Sequence, residues 1–182
     1  YMPTMLEMNS YDTICHEHLE YYSLALLERI MRAAGLKVFN VSLNAINGGS
    51  IRCFVTHETN YRQRDAECAL RLRALRRQEF DLELDTDKPY RNFQNRIDAH
   101  RDELSALLRK LKGEGKQIHI YGASTKGNTI LQWCGIDKSI ITVAAERNPD
   151  KYGARTLGTD IPIVSEAESR AMRPDYYLPA CP

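Results

Sequence analysis

Gln117-Ile118-His119-Ile120-Tyr121-Gly122-Ala123-Ser124-Thr125-Lys126-Gly127-Asn128-Thr129 is the run on which the fold turns. Ile118 to Tyr121 reads as a short apolar strand, a glycine-bearing turn follows, and a helix is expected near Asn128 to Cys134. Ile140 to Ala145, Ile161 to Val164 and Asp175 to Leu178 then supply further short strands. Strand, turn, helix and strand at this spacing imply right-handed βαβ units, and therefore an α/β domain built on a parallel sheet.

The turn itself carries chemistry. Small residues at Gly122, Ser124 and Gly127 let the backbone come close to a ligand, and the N–H groups at a helix start attract an anion. Thr125 adds a hydroxyl, Lys126 a cation and Asn128 an amide, so a phosphate or pyrophosphate is the natural guest. Gly122 and Gly127 are spaced as in a Walker loop, but Asn128 stands at the lysine position, which argues against magnesium-dependent nucleotide hydrolysis. Glu146, roughly twenty residues further on at the end of the next strand, sits where a ribose-binding acid would.

Working upstream, a helical run after Pro89 and another over residues 61 to 80, dense in arginine, read as two connecting helices with solvated charged faces. Lys37 to Ala45 and Ile51 to His57 read as two strands of a β-hairpin around Asn47-Gly48-Gly49-Ser50, with Asn47 and Arg52 as candidate binding residues. A lone hairpin is marginal in water, so a larger sheet is expected around it. Ser23 is a good N-cap for an amphipathic helix that Gly35 ends. Residues 1 to 21 lack sustained periodicity and read as extended or loop. They carry His16-Glu17-His18, which concentrates groups able to move a proton near neutral pH. In an extended segment His16 and His18 would share a face and Glu17 would point away. A structural hydrogen-bonding role and a zinc site are the competing readings, and no cysteine or histidine spacing completes the second.

Composition bounds these readings. At 182 residues, with 43% hydrophobic and 27% charged, the chain is globular, long enough for one domain or for a small domain and a piece of another. Its 25 basic and 24 acidic side chains leave a net charge of +1, so no global field draws nucleic acid or an anionic membrane, and any phosphate site must be local. Five scattered cysteines form no C-x-x-C pair, which fits reduced thiols. With no span-length apolar run and no targeting pattern, a cytoplasmic location is expected. The start at Tyr1-Met2-Pro3 and the stop just after Tyr176-Tyr177-Leu178-Pro179 lead us to expect a piece of a longer protein, natural or engineered.

Several motifs act together. Tyr11-Asp12-Thr13-Ile14-Cys15-His16-Glu17-His18-Leu19-Glu20-Tyr21-Tyr22-Ser23-Leu24, then Asn47-Gly48-Gly49-Ser50-Ile51-Arg52, then Tyr121 to Thr129, then Arg147-Asn148-Pro149 resemble, in this order, the nucleotide-sugar C-methyltransferases that modify keto-deoxysugars. The resemblance implies that residues 1–60 close a class I S-adenosylmethionine-dependent methyltransferase domain. Residues 61–115 would be connecting helices, and residues 116–182 a Rossmann-like domain that holds a nucleotide sugar. It places zinc in an amino-terminal module and the methyl-donor loop in a preceding domain, so no metal and no cofactor are expected for these residues alone. It further implies His18 as the base that deprotonates the carbon beside a ketone, with His16 in the same motif. Glu17 would orient or assist the base, and Tyr21 or Tyr22 would lie near the sugar. Lys126 and the amides of residues 122 to 128 would hold the pyrophosphate. The family's tyrosine two positions before Glu17 is Cys15 here, which leaves a phenol role at that position without support. By itself the chain is expected to be catalytically silent and to pair with a second copy. The alternatives are a non-catalytic module for a nucleotide or nucleotide sugar, and a fragment of an NAD-linked oxidoreductase.

Overall fold

In a computed structural model, residues 1–61 and 65–179 of the chain are described, apart from the side chain of Asn47. The chain divides into two compact units, one of residues 1–10 and 19–95, the other of residues 11–18 and 96–182.

The first unit begins with a short helix α1 (Met2–Glu7) where loop was expected. Pro3 pre-sets the first turn, and Met5 and Leu6 are buried, but six residues are too few for periodicity to show in a sequence. Helix α2 (Leu24–Ala33) starts where Ser23 predicts, with the Ser23 hydroxyl accepting from Leu26 N–H. A second acceptor comes from far along the chain. Glu79, buried on helix α3 (Ala66–Asp81), takes the N–H groups of Leu24 and Ala25 on its carboxylate, the latter at 2.9 Å, and the Tyr1 hydroxyl at 2.8 Å. Two amides that a helix start leaves without partners are thereby satisfied. Strands β1 (Leu36–Asn44) and β2 (Ser50–His57) form the expected antiparallel hairpin, with a bulge between Val38 and Asn40. Among the described residues no third strand joins it; Val38 and Val41 instead pack on Leu24 of α2 and on Leu72 and Leu75 of α3. Residues 62–64, within the expected arginine-rich helix, lie outside the described residues. Helix α4 (Lys88–Gly113) is the second of the two helices expected here, its residues 88–95 in this unit and the rest in the other.

The second unit is the α/β part. Strands β3 (Ile118–Tyr121), β4 (Ala144–Glu146), β5 (Ile163–Ser165) and β6 (Tyr176–Pro179) form one parallel sheet in the order β5-β4-β3-β6. Helix α5 (Thr125–Trp133) links β3 to β4, and α6 (Glu166–Ala171) precedes β6. The chain thus runs outward from β3 through β4 to β5 and returns to the other side of β3, the strand order of a Rossmann half whose ligands bind beyond the carboxyl ends of the strands. Alternation along β3 sorts its faces. Ile118 and Ile120 enter a core with Leu131, Ile141, Ile161 and Ile163, while buried His119 meets Ser169 of α6 at 2.8 Å through Nδ1.

Two strand boundaries differ from expectation. Ile140, Ile141 and Val143 are buried but precede β4, because Asp137 starts a turn that takes the amides of Ile140 and Ile141 on its carbonyl and that of Ser139 on its carboxylate. Burial made these residues apolar, not strand pairing. Helix α6 was missed, although Ser165 and Glu168 form the reciprocal bonds of a capping box. Among the described residues no helix is long and apolar enough to cross a membrane, and Cys15, Cys53, Cys68 and Cys134 are free thiols.

Candidate functional site

Gly122 follows β3 at φ +93, a conformation open to glycine and strained for any other residue. Its N–H donates to Ala145 O at 2.7 Å, tying the turn to the neighbouring strand. Ser124 then caps α5, accepting from Gly127 N–H at 3.0 Å on its hydroxyl and from Asn128 N–H at 3.0 Å on its carbonyl. The amides of Thr125 and Lys126, in the first turn of α5, have no acceptor among the described residues, as helix geometry dictates. Lys126 likewise has no acidic partner among them. Asn128 carries a buried Oδ1 with no protein partner among the described residues.

Behind this turn stands a lock that the sequence did not reveal. Glu146 at the end of β4 accepts from the amides of Ala123 at 3.0 Å, Arg147 at 2.8 Å and Asn148 at 3.1 Å, and from Lys151 Nζ at 3.3 Å. Lys151 also donates to Ala123 O at 2.9 Å. Burial opposes the charge on Glu146, but these donors outweigh it and hold its pKa down to about 2. The residue whose spacing offered a ribose-binding acid therefore has both carboxylate oxygens engaged by the protein. Because the folded value lies below the unfolded one, the bound carboxylate contributes stability that is full above about pH 4.5 and fades as pH falls toward 2. Protection of the Ala123 amide, taken relative to its intrinsic exchange rate, should fall as pH drops through that window, and Glu146→Gln should remove the pH dependence of that protection.

His16-Glu17-His18 lies in the same unit. The segment is not extended: Tyr11–Thr13 form one 3-10 turn, and Ile14 N–H to Tyr11 O, Cys15 N–H to Thr13 O and His18 N–H to Cys15 O coil the rest. The expectation that His16 and His18 share a face with Glu17 turned away fails for that reason. Instead Glu17 Oε1 accepts from the Thr125 hydroxyl at 3.3 Å and lies 3.9 Å from His16 Nε2, while His18 Nδ1 lies 2.8 Å from Thr13 O. Beside them opens a cavity of about 560 Å³, bordered by Ile14, His16, Thr125, Asn128, Gln132 and Trp133.

Of the expected site residues, the structure brings His16, Glu17, His18, Gly122, Ser124, Thr125, Lys126, Gly127 and Asn128 into this one unit. Tyr21, Tyr22 and Arg52 belong to the other unit. There the Tyr22 hydroxyl donates to Glu20, Tyr21 is half-buried, and Arg52 is exposed opposite Ser42. The Asn47 side chain lies outside the described residues. Among the described residues no three His, Cys, Asp or Glu side chains are grouped so as to hold a metal. Among the described residues the sheet of the first unit is the antiparallel hairpin alone.

A family model described as the C-methyltransferase C-terminal domain matches residues 45–179. The chain is also similar to C-methyltransferase NovU of Streptomyces niveus, with 32% identity over 178 residues that cover 98% of this chain. It spans 41% of that relative's length.

Proposed function

Because this chain belongs to the C-methyltransferase C-terminal domain family, we propose that it holds the diphosphate of a nucleotide-linked keto-deoxysugar and presents the sugar to His18 for deprotonation. The contact between Glu17 and Thr125 carries this reading, since it seats the proton-moving motif on the first turn of the helix whose start suits a phosphate. A carbon beside a ketone is acidic enough for a positioned imidazole to take its proton, and the enolate so formed is a carbon nucleophile. S-adenosylmethionine, bound by the full-length enzyme outside these residues, would supply the electrophilic methyl group. Glu17 stands close enough to His16 and Thr125 to fix the segment. Lys126 and the amides of the turn would contribute binding that carries the sugar to the base. These residues alone are expected to bind the sugar nucleotide and to transfer no methyl group.

Calorimetry with a thymidine diphosphate sugar tests the cradle. Lys126→Ala should weaken binding about tenfold, the loss of one charge-assisted contact to phosphate, and the loss should shrink at high salt. Unchanged affinity would remove the cradle from this turn. A module that binds nucleotides without chemistry would share the roughly tenfold weakening in Lys126→Ala but would not exchange the proton beside the sugar's ketone for deuterium.

A further inference from the structure

We infer that Tyr11 is a positioning residue for the base: its buried side chain pins the turn whose Thr13 carbonyl engages His18 Nδ1 and so places the imidazole lone pair on Nε2. The inference rests on the reading of His18 as base and adds the residue that sets its tautomer.

Tyr11 is anchored from two directions. Its hydroxyl lies 2.9 Å from His100 Nδ1 on α4 and 3.7 Å from Cys134 Sγ just past α5, and its ring meets the His100 ring edge-on with centroids 5.8 Å apart. Burial, reinforced by Cys134, pushes the phenol well above its ordinary pKa, so it stays a neutral hydroxyl. From this anchor three consecutive backbone bonds carry the coil to His18: Ile14 N–H to Tyr11 O at 2.9 Å, Cys15 N–H to Thr13 O at 3.1 Å and His18 N–H to Cys15 O at 3.0 Å. Thr13 O then faces His18 Nδ1 at 2.8 Å. A carbonyl oxygen only accepts, so the nitrogen facing it carries the hydrogen, and in a neutral ring the basic lone pair is left on Nε2. Were the coil to loosen, the ring could carry its hydrogen on Nε2 and lose its base at that atom. A phenol that merely filled space would tolerate loss of its hydroxyl; one that pins the coil would not.

The test uses full-length protein labelled with ¹⁵N-histidine, the His18 signals being assigned by their loss in His18→Asn. Wild-type enzyme should show the Nδ1–H pattern. Tyr11→Phe should convert part of the population to Nε2–H and lower kcat about tenfold, with KM for the sugar nucleotide within about twofold. An Nε2–H pattern in active wild-type enzyme, or a Tyr11→Phe variant with tautomer and kcat unchanged, would overturn the pin. Should Tyr11→Phe fail to fold, His100→Ala removes the shorter of the two hydroxyl contacts from an exposed helix position. The same tautomer shift is expected there, and an unchanged spectrum would overturn the inference. Wild-type protein with the Nδ1–H pattern that never exchanges or methylates a keto-sugar would instead overturn the reaction assigned to His18.

Discussion

Replacing His18 by Asn should slow methyl transfer by the full-length enzyme about a thousandfold, with little change in the affinity for the sugar nucleotide. A positioned base contributes roughly two to four powers of ten to a proton transfer, and an Asn side chain keeps a polar group in place but cannot take a proton. The binding groups proposed for the diphosphate lie on the turn after β3 and are left intact. The split is the informative part. An interaction made only in the transition state lowers kcat and leaves binding alone, whereas a purely structural histidine would move both through the fold. The cleaner measurement omits the methyl donor and follows deuterium entering the carbon beside the ketone. Wild-type enzyme should exchange it and His18→Asn should not; exchange at the wild-type rate in the variant would assign the base elsewhere.

The largest effect on stability is expected at Glu79. Glu79→Ala should lower the free energy of unfolding by about 3 kcal/mol in a urea titration, because it leaves two amides at the start of α2 and the Tyr1 hydroxyl without their buried acceptor. The carboxylate also faces the positive end of that helix, where a negative charge is favourable. Glu79→Gln keeps one acceptor oxygen and should recover about half of the loss. A change below about 0.5 kcal/mol in the alanine variant would mean that water replaces the carboxylate at no cost, against its burial.

Some of this was legible in the residues and some was not, for physical reasons. The hairpin was readable because Asn47-Gly48 marks a turn between β-branched runs, and α2 because Ser23 and Gly35 bracket a helical period. The parallel sheet followed from spacing alone. Helices α1 and α6 were too short for a period, though the Ser165 and Glu168 pair was there to be read. Ile140 to Val143 imitated a strand because a buried turn and a buried strand make the same demand for apolar side chains. Residue types in the site were readable, but their geometry was not. The coil at His16-Glu17-His18 depends on Tyr11 reaching residues 89 and 123 positions away, and the lock on Ala123 depends on a carboxylate 23 positions on. Pairings at such separations leave no local pattern.

That residues 11–18 fold with residues 96–182, while the segment between belongs to the other unit, governs how such enzymes can be recombined. A crossover anywhere from 19 to 95 would join the histidine coil of one parent to the glycine turn of another. Hybrids between family members should therefore keep whatever activity depends on this unit only when both pieces come from one ancestor, which makes the unit discontinuous along the gene.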